Sequence, residues 1–308
     1  MLRRPSLVLV VLTLLAASCG GGTEPTATPS PTGGGDTFPV TLVDDEGVEA
    51  TVEREPRRIV TFAPSMTEIL FALGIGDRIV GVSGGFDDFP AEAQEIEGVG
   101  GAGEFGVDPN EEVVVDLEPD LMLTAFFGGE WKDRLRGAGV PVFTAIAEGF
   151  DDSLADIERV GALTGTAAEA ASLADGMRAE AEQIEAAAGE RVTCFFEVSF
   201  EGGFFTVGPG ALEYELLERA GCDPVTSGAK DAYPEWSVEA LVEADPEVYL
   251  VAEESGGTLA DISERPGFGD LAAVTEGRVA LIDSDLVSRP GPRLVQGLRV
   301  LAEALDAA

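Results

Sequence analysis

Histidine is absent from all 308 residues, and lysine occurs only as Lys132 and Lys230. Without imidazole a Ser-His-Asp relay cannot be assembled, and zinc hydrolysis and imidazole-ligated haem lose their usual ligand. Tyrosine is confined to Tyr214, Tyr233 and Tyr249. Positive charge is scarce: 19 basic side chains against 57 acidic ones leave a formal charge of −38. A surface of that sign repels phosphate backbones and anionic substrates, which argues against nucleic acid as a partner.

Cysteine occurs three times, an odd number, and the first copy sits in "LLAASCGGGTEP". Residues 1–18 read as an export signal: Arg3 and Arg4 supply the positive start, Leu7 to Leu15 the apolar stretch, and Ala16, Ala17 and Ser18 the small residues before a cut. The apolar stretch is shorter than the roughly 20 residues a membrane span needs. Small residues followed by cysteine resemble a bacterial lipoprotein box, in which Cys19 becomes a lipidated N-terminus. The box usually has leucine three residues before the cysteine; Ala16 stands there, with Leu15 one step earlier. Ordinary secretion with Cys19 as a spare thiol is the alternative. Residues 19–36 are mostly Gly, Thr, Pro, Ser and Ala. They cannot bury a core and should form a flexible tether, with a root-mean-square span of about 20 Å. Using Cys19 as an anchor leaves Cys194 and Cys222 either to pair or to be buried as separate thiols.

Beyond the tether, the remaining length suits two lobes of about 120–150 residues. Residues 38–44 and 48–52 alternate around Asp45-Glu46-Gly47, the pattern of a hairpin. Short apolar runs at 58–62, 78–82, 120–124 and 140–144 read as strands separated by helical stretches, among them a helix over 65–73 opened by a Ser65-x-x-Glu68 capping box. Alternation of strand and helix predicts mostly parallel sheets. Residues 151–188 carry no strand signal, and a helix over 166–188 would be about 34 Å long. Alternation then resumes, with strands at 191–200, 247–252 and 277–283 and helices at 211–220 and 293–305. The expected division is an N-terminal lobe over 37–150, linking helices over 151–189 and a C-terminal lobe over 190–308. An internal repeat supports it. "EVVVDLEPDLML", beginning at Glu112, aligns without gaps on "EALVEADPEVYL", beginning at Glu239, and Pro64 with Glu68 is echoed by Pro209 with Glu213.

Three strings imitate catalytic or binding motifs. Gly81-Val-Ser83-Gly-Gly85 fits a nucleophile elbow, but the chain has no histidine to activate the serine. Gly101-Ala-Gly103-Glu-Phe-Gly106 fits a dinucleotide fingerprint, yet the next helix is expected to begin later, near Asp108-Pro109-Asn110. "VDDEGVEATVE" lacks the ligand spacing of a calcium loop and reads as a hairpin tip. A paired-carboxylate glycosidase stays open, but among 57 acids the closeness of some pair carries no information.

Over nearly all of residues 37–306 the chain resembles the extracytoplasmic substrate-binding proteins of cobalamin and ferric-siderophore ABC importers, the helical-backbone periplasmic binding proteins. The resemblance rests on "RIVTFAPSMTEILFALGIGDRIVGVS", "DLEPDLMLT", "YPEWSVEALVEADPEVYLV" and "DSDLVSRPGPRLVQGL", in the family's order and spacing. It implies an α/β fold of two Rossmann-like lobes joined by one long rigid helix, with ligand in the cleft, no catalysis, and no cofactor beyond a ligand that brings its own metal. It also implies a monomer docking on a permease dimer through one glutamate per lobe, Glu112 and Glu239, from a lipid-anchored position on the outer face of the cytoplasmic membrane. Candidate ligand-facing aromatics are Phe86 and Phe89, Phe126 and Phe127 with Trp131, Phe204 and Phe205, and Tyr233 with Trp236, of which about half are expected to be core rings. Phe86, Phe126, Tyr233 and Arg289 lie where the family places cleft residues. Arg289 is expected ahead of the last helix, where a cation gains nothing from the helix dipole; Arg293 is expected to be a plain helix residue. Catecholate siderophores would need several cations, and haem an axial His or Tyr. The favoured ligand is therefore cobalamin or a related corrinoid, ahead of a neutral hydroxamate-type ferric siderophore. An exported carboxylate-dependent hydrolase and a tethered adhesion module are the readings from other classes.

Overall fold

The computed structural model of the chain describes residues 37–100, 108–200, 202–255 and 258–306. The export signal, Cys19, the tether and the Gly101–Gly106 string lie outside the described residues. The hairpin comes first: β1 (Val40–Val43) pairs antiparallel with β2 (Glu49–Val52). Alternate residues of β2 are buried, as expected of a ribbon with one face on the core.

The first sheet contains β3 (Ile59–Phe62), β4 (Ile79–Gly81), β5 (Leu121–Thr124) and β6 (Val142–Thr144), parallel throughout in the order β4-β3-β5-β6. All four residues of β3 and of β5 are buried, because helices cover both faces of a parallel sheet. The helices between these strands are α1 (Pro64–Ala72), α2 (Glu111–Asp116) and α3 (Glu130–Gly137). The expected capping box at Ser65 does not form. Proline at the first helical position starts α1 one residue earlier, Ala63 is the N-cap without a side-chain bond, and Glu68 turns to other partners.

Two helices follow without an intervening strand, α4 (Phe150–Thr164) and α5 (Ala167–Ala187). With 21 residues, α5 is about 32 Å long and unbroken, as the sequence predicted. Its buried residues, Ala170, Ala174, Met177, Ala181 and Ile184, recur at intervals of three and four and form one seam. That seam contacts α4 on one side and the last helix, α11 (Leu294–Asp306), on the other. The crossing with α4 is tight: a Cβ at Gly161 would sit 2.3 Å from the Ala170 Cβ, so only glycine fits.

The second sheet repeats the first. Its strands are β7 (Val192–Ser199), β8 (Phe205–Thr206), β9 (Cys222–Pro224), β10 (Val248–Ala252) and β11 (Val279–Ile282), and β9-β7-β10-β11 are parallel in the same order as β4-β3-β5-β6. Added to this plan is β8, antiparallel to the far half of β7. Its helices before α11 are α6 (Leu212–Arg219), α7 (Val238–Ala244), α8 (Leu259–Ser263), α9 (Ala272–Thr275) and α10 (Ser284–Ser288). A disulfide joins Cys194 in β7 to Cys222 in β9, with Cα atoms 5.8 Å apart.

The repeat seen in the sequence has a structural counterpart. Asn110 and Ser237 each cap a short helix, accepting from Val113 N at 3.3 Å and Ala240 N at 3.1 Å. A proline follows shortly after each helix, and the residues that precede the prolines, Glu118 (φ 46°) and Asp245 (φ 40°), both adopt the left-handed conformation. Asp120 then accepts from the backbone amides of Arg57 and Arg58 at the start of β3, and Glu247 from the amide of Thr193 at the start of β7. One continuous core joins the inner sides of both sheets through α1, α4, α5, α6 and α11. Two separate clusters lie under the outer helices of each lobe, around Phe62 and Trp131 in one and around Phe195 and Tyr249 in the other.

Candidate functional site

In open parallel sheets the loops beyond the carboxyl ends of the strands form the binding edge, because helix N-termini and unpaired backbone groups converge there. The two lobes meet along these edges. Glu68 in α1, beyond β3, accepts from Arg293 Nε at 2.9 Å and Nη2 at 2.7 Å, and pairs with Arg289 Nη1 at 3.4 Å. Both arginines lie beyond β11. Arg289 also reaches Asp88 at 2.9 Å and Asp285 at 2.6 Å, and the Arg293 guanidinium lies 4.3 Å from the centre of the Phe89 ring.

This five-membered cluster corrects the sequence reading of Arg289. It does precede α11, as the sequence places it, but it also ends α10, where a cation is favoured by the dipole, and its guanidinium is taken up by three carboxylates. Arg293 is likewise a clasp residue, not a plain helix residue. Burial pushes the Asp285 carboxyl up from the usual range, with Arg289 opposing. Burial also works to raise Asp88, but the hydrogen bond and charge of Arg289 leave it below its ordinary value. The hydrogen bonds it donates to Glu68 hold the Arg293 guanidinium above its usual range.

Every aromatic side chain that stands exposed among the described residues lies on this edge. The exposures are 65% for Phe86, 46% for Phe89, 39% for Phe126, 80% for Phe127, 36% for Phe205 and 50% for Tyr233. Phe86 follows β4, on a loop held from the core by buried Asp87, which accepts from Thr67 Oγ1 at 2.5 Å and Gly84 N at 3.1 Å. Phe126 and Phe127 follow β5; the Phe126 ring leans on Phe62, with centroids 5.3 Å apart. Phe205 lies in β8 opposite Ser199, at the end of β7. Tyr233 sits on the neighbouring segment, whose Pro234 O accepts from Thr206 N. Its ring is half exposed, while its hydroxyl donates to buried Glu213 at 2.9 Å. Burial, followed by the charge of Glu213, pushes that phenol well above its usual pKa.

Phe204 does not belong to this set. Adjacent residues of an extended segment face opposite ways, and Phe204 turns inward onto Phe195, Phe200 and Phe268 while Phe205 turns out. Trp131 is buried against Phe62. Trp236 is partly buried beside Phe195, and its indole nitrogen has no hydrogen-bond partner among the described residues. Ser83 Oγ is also buried without a partner, so nothing in the described structure activates it as a nucleophile. Glu112 and Glu239 stand exposed in the first turns of α2 and α7, with no ion pair among the described residues.

The model of the family described as periplasmic binding protein matches residues 59–286. An uncharacterized ABC transporter substrate-binding lipoprotein, YvrC of Bacillus subtilis, is 31% identical over 278 residues, covering 87% of this chain and 86% of that one. A cobalamin-binding protein of Halobacterium salinarum is 29% identical over 276 residues, with 87% and 74% covered. The crystal structure of a possible iron-binding, periplasmic solute-binding protein of Staphylococcus epidermidis superimposes with a TM-score of 0.70 at 28% identity, covering 82% of this chain and 99% of that one.

Proposed function

We propose that this chain, which belongs to the periplasmic binding protein family, captures cobalamin or a related corrinoid between its lobes and delivers it to the permease of an ABC importer. The observation that carries the reading is the rim itself. Exposed rings from both lobes stand there, with no cluster of three or more metal-ligating side chains and little unpaired positive charge among the described residues. A bulky, partly flat ligand is held by such faces through stacking and a few polar anchors.

The donor inventory narrows the ligand. The chain has no histidine. Tyr214 and Tyr249 are buried, and the Tyr233 phenol is bonded to Glu213 and held protonated by its surroundings. Met66, Met122 and Met177 are buried, and Cys194 and Cys222 are oxidised. Haem, which needs an axial side chain, is poorly served; cobalamin arrives with its cobalt already ligated. Arg289 and Arg293 are neutralised by Glu68, Asp88 and Asp285, which leaves Lys230, near Tyr233, as the exposed cation of the rim without an ion pair among the described residues. That disfavours a catecholate siderophore. The cobalamin-binding relative in Halobacterium salinarum adds weight to the corrinoid.

Purified protein mixed with cyanocobalamin and desalted is expected to elute coloured. A colourless fraction, together with tryptophan quenching by a ferric hydroxamate, would transfer the assignment to the siderophore. For delivery, Glu112 and Glu239 supply one exposed acid per lobe at repeat-related positions, suited to a partner with two basic contact points. Replacing both by lysine should abolish uptake and leave ligand affinity unchanged; unaltered uptake would remove them from the interface. Lipid attachment at Cys19 to the outer face of the membrane has the support of the lipoprotein named as a relative. Cys19→Ala should move the protein from the membrane to the soluble extracytoplasmic fraction.

A further inference from the structure

The three acids of the hairpin tip in "VDDEGVEATVE" all reach the carboxyl-end edge of the first lobe's sheet. Asp44 shapes the turn, accepting from Glu46 N at 3.0 Å and Val48 N at 2.8 Å, and its second oxygen meets Arg136 Nη2 at 3.2 Å. Asp45 accepts from Ile146 N, beyond β6, at 2.6 Å and from Arg159 at 2.8 Å. Glu46 accepts from Gly128 N at 2.5 Å and pairs with Lys132 Nζ at 2.9 Å; Lys132 in turn donates to Phe126 O at 2.5 Å. The loop between these contacts carries Phe126 and Phe127. It runs through Gly128 and Gly129 in positive-φ conformations (75° and 96°), outside any strand.

We propose that Glu46 and Lys132 form a positioning clip that holds the Phe126–Gly129 segment, and with it the exposed rings of Phe126 and Phe127, in the pose that receives the ligand. The inference rests on the reading of this rim as the ligand site. One carboxylate satisfies the loop's amide, one ammonium its carbonyl, and the two satisfy each other. The Lys132 side chain is only 2% exposed and that of Glu46 14%, so neither charge tolerates loss of its partner. The same residue pair ties an accessory ribbon to the site, which gives the hairpin a role the lobes themselves do not supply.

Hydrogen exchange of the unliganded protein tests the clip directly, and cyanocobalamin dissociation tests its consequence. In Glu46→Gln and in Lys132→Met, amides of residues 126–129 should exchange faster than in wild type while β3 and β5 stay protected. Cyanocobalamin affinity should fall about tenfold, the equivalent of one charge-assisted hydrogen bond, mainly through faster release. A charge exchange, Glu46→Lys with Lys132→Glu, restores the ion pair but offers Gly128 N no acceptor from the tip, so stability should recover and affinity should not. Wild-type exchange at 126–129 in Glu46→Gln, or full recovery of affinity in the exchanged pair, overturns the clip. If wild-type protein binds neither cyanocobalamin nor a ferric hydroxamate, the ligand reading fails, while the exchange rates still decide whether the clip exists.

Discussion

The two lobes share a strand order, a pair of capped short helices and a left-handed residue before a proline, but they hold their binding rims differently. In the first lobe the rings sit on short loops fixed from outside the sheet, by Asp87 under Phe86 and by Glu46 with Lys132 under Phe126. In the second, an extra strand and a bonded tyrosine build the rim from within. A duplicated scaffold thus supplies the geometry common to both halves, and lobe-specific additions shape the rim proposed as the ligand face.

The matched acids Glu68 and Glu213 separate the lobes most strongly. Both are buried in the first helix after the central strand, but Glu68 anchors two arginines from the other lobe and Glu213 a single phenol. Removing one partner of a buried ionic cluster leaves the remaining charges uncompensated. Glu68→Ala is therefore expected to cost about 3–5 kcal/mol. Glu213→Gln keeps an acceptor for Tyr233 and should cost about 1 kcal/mol. Urea denaturation of the two variants measures the gap. Equal losses would mean that the Glu68 cluster does not bind the lobes together.

A second pair of buried acids differs in how well each is served. Glu197 in β7 accepts from Tyr249, Ser255 and Arg265, a set of donors that matches a charged carboxylate. Asp156 in α4 has Arg159 at 2.9 Å, but Arg159 is shared with Asp45, and Asp152 adds a like charge. Burial then raises its pKa to about 7. Between the unfolded value near 4 and that value the folded state holds the extra proton, so this acid makes stability fall as pH rises through the window and then level off. Asp156→Asn should stabilise the protein at pH 8 by about 1–3 kcal/mol and change little at pH 4. Glu197→Gln should destabilise at both. Thermal melts at the two pH values read the contrast directly. A gain for Asp156→Asn that is the same at both would show that Asp156 is ionised throughout.

What was legible in the chain follows the range of the forces involved. Strands β3, β5, β7 and β10, the long α5 and the repeat all rest on local periodicity, capping and proline placement, and each appears within one or two residues of where the sequence puts it. The shorter β8 and β9 carry too few residues for a pattern and exist because a neighbouring strand offers a free edge. The partners of Glu68 lie 221 and 225 residues away, so the local capping signal was answered by a long-range cation instead. At the rim, the loops that the sequence singled out do carry exposed rings, but the sequence could not say which of Phe204 and Phe205 faces out. That depends on the register of β8 against β7, which no residue near them fixes.

The smallest expected difference is also the most direct test of how alike the lobes remain. Glu118 and Asp245 occupy the same strained position, and the left-handed conformation costs a non-glycine residue about 1 kcal/mol or more. Glycine removes that strain but gives back part of the gain through the entropy of the unfolded chain. Glu118 is exposed and makes no side-chain bond among the described residues, so Glu118→Gly should raise stability by about 0.5–1 kcal/mol. Asp245 differs in that its side chain is engaged, the carboxylate accepting from Ala272 N at 2.8 Å and so capping α9. Loss of such a cap costs about 1 kcal/mol, which outweighs the relief of strain, so Asp245→Gly should lower stability slightly. Opposite signs in the two denaturation curves would show that identical backbone geometry has come under different side-chain control in each lobe. Matching signs would make the α9 cap energetically silent and the two turns interchangeable.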